Sequence, residues 1–243
     1  MVAWLRKLYR KCDALVAPSE SFAQVLREQR MNYDIDIWSR GVDREIFHPG
    51  RRDLEWRAQH GMSADLPVIG FLGRLVMEKG LDVFSDAIDQ LNRRKIPHQV
   101  MVIGEGPARQ WFQSRLPNAS FVGFQGGADL GRAVASMDLL FNPSVTETFG
   151  NVTLEAMACG LPVVAAKATG SQSLVEDKKS GRLITPGAIK QFADALQLYC
   201  ENDGLRREHG NAGADRALDY SWDAINQVVA DTYLRLIRQR QTR

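Results

Sequence analysis

The segment Asp138–Ala166, DLLFNPSVTETFGNVTLEAMACGLPVVAA, decides how the rest of the chain is organised. Its apolar start, Asp138–Pro143, predicts a short buried strand that ends at the proline. Good helix formers fill Asn151–Cys159, and the glycine and proline that follow supply a stop. The valine-rich run Leu161–Ala166 predicts a second strand. A strand, a loop, a helix and another strand in this order are the repeating unit of a parallel α/β sheet.

Two glutamates in this segment are candidates for ligand binding. Glu155 lies in the middle of the predicted helix among apolar residues, where burying a carboxylate is costly unless a donor satisfies it. Glu147 lies eight residues earlier, and Gly150 leaves space at the helix start, where backbone N–H groups are free. The residues alone favour two interpretations about equally. Either both carboxylates bind a polyhydroxyl ligand with an anion nearby, or Glu147 is solvated and Glu155 is salt-bridged.

The same segment resembles the signature of a known enzyme family. Two glutamates with Phe149-Gly150 between them, closed by the run EAMACGLPVV from Glu155 onward, are similar to the signature of glycosyltransferase family 4. The resemblance implies a retaining enzyme of the two-Rossmann-domain type called GT-B. We therefore predict an α/β fold, a Rossmann-like parallel sheet with helices on both faces that corresponds to the C-terminal half of a GT-B glycosyltransferase.

A second strand and helix start place two cations close to this segment. Val68–Gly73 predicts a core strand, and Arg74 and Lys79 follow it before a helix with apolar residues at helical spacing. A planar guanidinium, an ammonium group and the N–H groups of a helix start together suit a diphosphate. The glycines that flank the pair favour a phosphate site over two solvated surface cations. The resemblance agrees, because the matching arginine and lysine hold the donor diphosphate in place of a metal ion.

The four side chains Arg74, Lys79, Glu147 and Glu155 all follow predicted strands, so a parallel sheet places them at one edge, where α/β proteins bind ligands. The resemblance implies that Glu155 binds ribose, that Glu147 faces the donor sugar, and that the base lies against the loop at positions 123–125. The predicted catalytic residues are Glu147, Arg74 and Lys79. The predicted donor-binding residues are Gly73, Arg74, Lys79, Gly104, Glu105, Gly123, Phe124, Gln125, Glu147, Phe149, Gly150, Asn151, Val152 and Glu155. No metal site is predicted.

One loop departs from the family pattern. After the strand at Val163, relatives of this family usually have paired glycines, whereas this chain has only Gly170 among hydroxyl residues. The loop therefore gives no indication of which sugar is bound.

Composition excludes several other classes of protein. The 243 residues are 44% hydrophobic and 25% charged, with a formal net charge of +2, as in an ordinary globular chain. No basic tract with interleaved aromatic residues predicts nucleic-acid binding, and no apolar run reaches the roughly 18 residues of a membrane span. Cys12, Cys159 and Cys200 form no metal-type pair and are typical of a reducing compartment, so we expect a cytoplasmic protein.

The order of predicted helices and strands divides the chain into four segments. By resemblance, residues 1–43 are the end of an N-terminal GT-B domain and 44–65 are a linker. Residues 66–217 form the nucleotide-sugar-binding domain, and 218–243 form a helix that crosses back onto the segments before Gly41. We therefore expect a fragment, with the missing N-terminal domain as one of its partners.

Three features near the chain ends have a second interpretation. The basic amphipathic helix predicted over Met1–Lys11 either lies on a membrane or, as we favour, packs its apolar face on a domain core. Asp34-Ile35-Asp36 matches the Asp-x-Asp metal motif of other glycosyltransferases, but a match of three residues at a strand start favours a structural role. The C-terminal arginines are most simply solvated; they are Arg235, Arg238, Arg240 and Arg243.

Together these features predict a metal-independent glycosyltransferase that uses no cofactor. It would transfer a hexose from a nucleoside-diphosphate sugar, such as a GDP- or UDP-hexose, to a glycan or lipid acceptor with retention. A lipid acceptor would bring it to the inner face of the membrane as a peripheral protein. We expect the chain by itself to be inactive, and the alternative is a donor-half module that binds a nucleotide sugar without transferring it. An epimerase of the same fold is a weaker third interpretation, because the match is to the transferase motif.

Overall fold

The fold is organised around a six-stranded parallel sheet. The computed structural model describes residues 2–242, apart from the side chain of Thr169; Met1 and Arg243, which two of the predictions include, lie outside the described residues. Within that range the strands are β1 (Leu15–Ala17), β2 (Ile35–Ile37), β3 (Val68–Leu72), β4 (Gln99–Ile103), β5 (Ser120–Gly123), β6 (Leu139–Asn142), β7 (Val163–Ala166) and β8 (Gly181–Ile184). The large sheet has the order β5-β4-β3-β6-β7-β8 with parallel pairing throughout, and β1 and β2 form a separate parallel pair.

Helices connect these strands and cover both faces of the large sheet. Their bounds are α1 (Val2–Tyr9), α2 (Glu20–Glu28), α3 (Leu54–Gln59), α4 (Leu81–Arg93), α5 (Arg109–Arg115), α6 (Gly127–Ala135), α7 (Asn151–Ala158), α8 (Thr169–Leu174), α9 (Ile189–Glu201), α10 (Asp203–Ala217) and α11 (Trp222–Gln241). Short 3₁₀ turns occupy Pro49–Arg51 and Met77–Lys79.

Successive strand residues alternate between two hydrophobic cores. Val68 and Leu140 belong to the core that contains buried residues of α3, α6, α7 and α10. Ile69 and Phe141 belong to the core formed with α4, α5 and α9. Each fully buried aliphatic or aromatic side chain stabilises the fold by about 1.5–3 kcal/mol relative to an exposed one. The predicted fold class, a Rossmann-like parallel sheet with helices on both faces, is confirmed. Residues 2–43 contribute no strand to the large sheet, as predicted.

The last helix, α11, returns to the β1–β2 pair. Arg235 donates to both carboxylates of the Asp-x-Asp sequence, with Nη1 2.7 Å from Asp34 and Nη2 2.7 Å from Asp36. A hydrogen bond from Thr232, followed by the ion pair with Arg235, holds the pKa of Asp36 below its ordinary value. Arg240 also forms an ion pair, at 2.8 Å from Asp13. The prediction that the basic C-terminal arginines are solvated is therefore wrong for Arg235, whereas the side chain of Arg240 is 75% exposed despite its ion pair.

The first helix, α1, leaves its apolar face uncovered. Trp4 is 67% exposed, and Leu8 is exposed on the same helix. Its arginines instead dock the helix, since Arg6 and Arg10 donate to the backbone carbonyls of Gln29 and Arg30 just beyond α2. Within residues 2–242 the apolar face of α1 packs on no core, contrary to the interpretation that we favoured. No helix in this range is both long and apolar enough to cross a membrane.

Candidate functional site

The connectivity of the large sheet creates a crevice between β3 and β6. These strands are neighbours, but the chain continues from β3 to β4 on one side and from β6 to β7 on the other. A reversal of this kind leaves an open crevice at the carboxyl ends of the two central strands, which is where open α/β sheets bind ligands. Arg74 follows β3 and Glu147 follows β6, so the topology brings both to this crevice.

A cleft of about 700 Å³ occupies this position. Its volume falls within the range of small-molecule sites in proteins. Residues from both sheets line it, namely Val16, Ala17, Pro18, Trp38, Arg40, Phe71, Leu72, Gly73, Arg74, Glu78, Lys79, Asn142, Glu147, Thr148, Phe149, Gly150, Asn151 and Val152. Eight of these belong to the predicted donor-binding set.

An ion pair between Lys79 and Glu147 lies inside the cleft. Lys79 Nζ is 2.5 Å from Glu147 Oε1, and the two side chains are only 25% and 18% exposed. The 3₁₀ turn that carries Lys79 ends at Gly80 in the left-handed conformation (φ 75°), where a Cβ would lie 3.2 Å from the carbonyl oxygen of Pro143. The glycine therefore lets this turn approach the end of β6. The alternative in which Glu147 is a solvated loop residue is therefore wrong, because its side chain is mostly buried and paired with Lys79.

Arg74 lies at the mouth of the same cleft. Its Nη2 donates to Glu78 Oε1 at 3.0 Å, and both side chains are more than half exposed. An exposed pair of this kind contributes little to stability, so a stronger anion can displace the carboxylate from the guanidinium. Glu78 was not among the predicted site residues, although its spacing of four residues from Arg74 is the usual signal for such a pair.

The N-terminus of α7 faces the cleft without a capping side chain. Gly150, the N-cap residue, lies in the left-handed region (φ 99°) and has no side chain to accept a hydrogen bond from the first turn. Phe149 is 4% exposed and packs edge-on against Tyr220, with ring centroids 5.8 Å apart, which fixes the loop before the helix. Gly170 donates its N–H to the carbonyl of Glu147, and a Cβ at Gly170 would lie 2.8 Å from the backbone of Phe149. Gly170, the single glycine of the loop that departs from the family pattern, thus lies where that loop contacts the loop before α7.

Glu155 lies one turn into α7 and, unlike Glu147, is not among the residues that line the cleft. Burial raises the pKa of its carboxyl to about 7. Among the described residues no cation forms an ion pair with Glu155 and no donor satisfies its carboxylate. The alternative of a salt-bridged Glu155 therefore finds no support. A mostly buried carboxylate without a partner is costly to a folded protein, as expected for a group that binds a ligand.

The remaining predicted residues form a ledge beside the cleft rather than part of its lining. Gly104 donates its N–H to the carbonyl of Gly123 at 2.8 Å, which ties the loops after β4 and β5 together. Glu105 forms an ion pair with Arg109 at the start of α5. Phe124 is 77% exposed. Gln125, which follows Phe124, turns back and donates to the carbonyl of Val122. The ledge is continuous with the cleft, because Leu75 donates its N–H to the carbonyl of Glu105.

Sequence reasoning missed the contribution of the smaller sheet. Trp38 and Arg40 follow β2 and line the cleft, with the Arg40 guanidinium 5.6 Å from the centroid of the Trp38 ring. Ser19 is 3% exposed and donates its hydroxyl to the carbonyl of Thr148, next to Glu147. No local motif marks these residues, because their role depends on how the two sheets are placed. Within residues 2–242 no cluster of three or more His, Cys, Asp or Glu side chains fits a metal ion.

A Rossmann-like sheet with a cationic cleft at its switch point has the architecture of the C-terminal half of a GT-B glycosyltransferase. The chain belongs to the family described as Glycosyl transferases group 1, whose model matches residues 66–202. It is 31% identical over 238 residues to a GDP-mannose-dependent alpha-mannosyltransferase of Corynebacterium glutamicum, covering 98% of this chain and 56% of that protein. The recognition of the glycosyltransferase family from its signature is confirmed.

Two solved structures have the same fold. Sucrose-phosphate synthase from Thermosynechococcus elongatus superposes with a TM-score of 0.85 at 24% identity, over 98% of this chain and 62% of that one. Anabaena Alr3699/HepE in complex with UDP-glucose superposes with a TM-score of 0.82 at 26% identity, over 96% of this chain and 66% of that one. The chain therefore spans less than two thirds of the length of each of these three proteins.

Proposed function

We propose that this chain is the donor-binding part of a glycosyltransferase that transfers a hexose from a nucleoside-diphosphate sugar to a glycan or lipid acceptor with retention and without a metal ion. The observation that carries the proposal is the contact of Lys79 with Glu147 in a cleft that also contains Arg74 and the uncapped N-terminus of α7. These groups suit a leaving diphosphate and a sugar placed side by side.

The cations and the helix N-terminus would hold the diphosphate. As the bond between the anomeric carbon and the phosphate oxygen breaks, its electron pair passes to the phosphate, and negative charge grows there. Arg74, Lys79 and the N–H groups of α7 stabilise that charge without a metal ion, an effect of roughly 3–4 kcal/mol per well-placed donor. The acceptor hydroxyl forms the new bond on the same face of the sugar and gives its proton to the leaving phosphate. No general base is then required from this part of the protein.

The two glutamates would divide the rest of the donor. Glu155 accepts hydrogen bonds from the ribose hydroxyls, which compensates a carboxylate that has no partner in the ligand-free protein. Glu147 lies against Lys79 on the sugar side and stabilises the positive charge that develops at the anomeric carbon. The base would lie on the ledge formed by the loops at Gly104 and Gly123, with the exposed ring of Phe124 as a stacking surface.

The domain division is part of the same proposal. Residues 1–43 would be the end of an N-terminal domain, 44–65 a linker, 66–217 the donor domain and 218–243 the crossover helix. The separate β1–β2 pair and the ion pairs that join it to α11 support this division.

Names of similar proteins direct the choice of donor to test. One relative is named as GDP-mannose-dependent, whereas the Anabaena structure contains UDP-glucose. Calorimetric titration of GDP, UDP, GDP-mannose and UDP-glucose, with and without a metal chelator, should find one nucleotide that binds equally well in both conditions. Lys79→Ala should weaken that binding by roughly 1.5–3 kcal/mol, as for a charge-assisted contact. Binding that is lost with the chelator, or that is untouched by Lys79→Ala, would contradict the proposed site.

The alternative is a module that holds a nucleotide sugar but does not transfer it. The spread of the cleft over both sheets favours a transferase, because an acceptor needs a second wall beside the donor site. A radiolabelled-donor assay distinguishes the two: release or transfer of the sugar by the chain joined to its N-terminal domain supports the transferase, and binding without turnover supports the module.

A further inference from the structure

The cleft is formed by the carboxyl ends of two different sheets. One wall follows β3 and β6 of the large sheet and contains Arg74, Lys79 and Glu147. The other wall follows β1 and β2 of the small sheet and contains Trp38 and Arg40. The first wall has the side chains that the proposed function assigns to the diphosphate and the sugar of the donor. The second wall has a cation and an aromatic ring to which that function assigns nothing.

Arg40 differs from the other two cations of the cleft. Arg74 is paired with Glu78, and Lys79 is paired with Glu147. Arg40 is exposed, and in the described part of the chain no carboxylate forms an ion pair with it; its guanidinium lies over the ring of Trp38 at 5.6 Å. A guanidinium that stacks on an indole keeps its N–H edge free for a planar anion. It is therefore an anion-binding group that is available before any ligand arrives.

Trp38 has an unmet hydrogen bond at the same place. Its indole Nε1 is buried and has no acceptor among residues 2–242. A buried donor without a partner costs free energy that a ligand oxygen can recover on binding. A charged edge from Arg40 and a neutral donor from Trp38 together fit a group that combines an anion with neighbouring oxygens, such as a phosphate ester of a polyol.

We propose that Arg40 and Trp38 form an acceptor subsite that binds an anionic, phosphate-type group of the acceptor, on the wall facing the donor diphosphate. This inference rests on the proposed function, since it assumes that the donor occupies the first wall. A phosphate of the donor has the same chemistry and is the other group that Arg40 can bind. The test therefore separates a phosphate of the acceptor from a phosphate of the donor.

The experiment compares Arg40→Ala with Lys79→Ala and with Arg44→Ala as a matched control, because Arg44 is an exposed arginine that does not line the cleft. The nucleoside diphosphate that binds best is titrated first. Arg40→Ala and Arg44→Ala should leave its affinity within about twofold of wild type, whereas Lys79→Ala should weaken it by about tenfold or more. Equal losses in Arg40→Ala and Lys79→Ala would overturn the proposal by assigning Arg40 to the donor.

Glycerol 3-phosphate is then titrated into protein saturated with that nucleotide, with glycerol as the uncharged control. It should bind wild type and Arg44→Ala alike, bind Arg40→Ala at least about tenfold more weakly, and bind Arg40→Lys with intermediate affinity. No binding to wild type, or undiminished binding to Arg40→Ala, would overturn the subsite. If no nucleotide binds at all, the proposed function fails, and the same titration without nucleotide decides whether Arg40 binds the phosphate.

Discussion

At the scale of single residues, the structure couples two side chains that the sequence presents separately. Lys79 and Glu147 are 68 positions apart in the chain, and their charged atoms are 2.5 Å apart in the cleft. The diphosphate that Lys79 is proposed to bind must therefore share or displace a carboxylate. A substitution at Glu147 should change the charge that a nucleotide meets at Lys79, as well as the chemistry at the sugar.

Glu147→Gln should accordingly lower turnover without weakening nucleotide binding. Removing the carboxylate leaves Lys79 free for the phosphate, so nucleoside diphosphate affinity should stay constant or tighten by up to about tenfold. Turnover of the enzyme with its N-terminal domain should fall at least about a hundredfold, because the sugar's developing charge loses its counter-charge. Calorimetry and a transfer assay measure the two effects. Loss of nucleotide as severe as in Glu155→Gln, with both variants folded, would show one shared nucleotide site instead.

Glu155→Gln should raise the stability of the ligand-free protein but lower its affinity for nucleotide. Its pKa is raised from 4.5 to about 7, so between these pH values the folded protein keeps a proton that the unfolded chain releases, and stability falls as pH rises through this window. Without ligand, the glutamine variant should be more stable than wild type by roughly 2–3 kcal/mol at pH 8 and about equally stable near pH 4.5.

Urea unfolding at the two pH values measures this difference. Nucleotide affinity of Glu155→Gln at pH 8 should nevertheless fall by about tenfold or more, since the ribose loses its acceptor. A variant that is less stable than wild type at pH 8 would mean that the carboxylate is compensated in the folded protein, and the ribose assignment would lose its main support.

At the scale of helices and strands, apolar runs in the sequence identified the strands of the large sheet. The short helices α5 and α8 depend on tertiary contacts and were not predicted. The strands at Val68 and Val163 were predictable because continuous apolar runs between turn residues are typical of buried parallel strands. The short helix α8 was not predicted: residues 167–173 were interpreted as a loop, and their glycine and hydroxyl residues are weak helix formers. Helix α5 was also missed, because Phe112 is its one buried residue and provides no periodic pattern.

The candidate site, like the fold, was predictable only where it depends on a single sheet. Arg74, Lys79 and Glu147 follow strands of one sheet, so the parallel topology alone places them at one edge. Trp38 and Arg40 follow a strand of another sheet, and the position of one sheet relative to another depends on packing that no local pattern encodes. Fold-level rules therefore find the wall of the cleft that contains Arg74, Lys79 and Glu147 and miss the facing wall.

The close approach of Gly104 to Gly73 indicates that the loops after β3 and β4 constrain each other. Gly104 has a φ of 136°, and a Cβ there would lie 1.9 Å from the carbonyl oxygen of Gly73, just before Arg74. Gly104→Ala should therefore destabilise the protein by more than about 4 kcal/mol, or displace the Gly73 loop and abolish nucleotide binding.

Gly61→Ala is the matched control, since Gly61 has a φ of 75° and nothing within 4 Å of its added Cβ. It should cost only about 1–2 kcal/mol from the backbone conformation. Thermal unfolding and nucleotide titration compare the two variants. Similar, small losses in both would show that the loops after β3 and β4 can separate without consequence for the site.

At the scale of the whole molecule, the cleft depends on how the small sheet is held against the large one. Contacts near the cleft and contacts on α11 help to hold it there. Near the cleft, Ser19 bonds the carbonyl of Thr148 and Ser21 bonds Ser173. On α11, Arg235 forms ion pairs with Asp36 of β2 and with Asp34 just before that strand, which is why the Asp-x-Asp sequence serves a structural role here. The C-terminal helix thus supports one wall of the cleft, although none of its residues lines the cleft.

Arg235→Ala should loosen the small sheet while leaving the large sheet unchanged. Without the guanidinium, Asp34 and Asp36 lose the cation that they share and repel each other, so β1 and β2 should open more often. Hydrogen–deuterium exchange should become faster by about tenfold in β1 and β2, with no change in β3 and β4. Arg238→Ala is the control, because Arg238 lies on the same helix and its side chain forms no ion pair within residues 2–242. Arg235→Lys should be intermediate, since an ammonium group cannot bridge two carboxylates as a guanidinium does. Faster exchange across both sheets, or an equal effect of Arg238→Ala, would show that α11 stabilises the molecule as a whole and does not specifically hold the wall that carries Trp38 and Arg40.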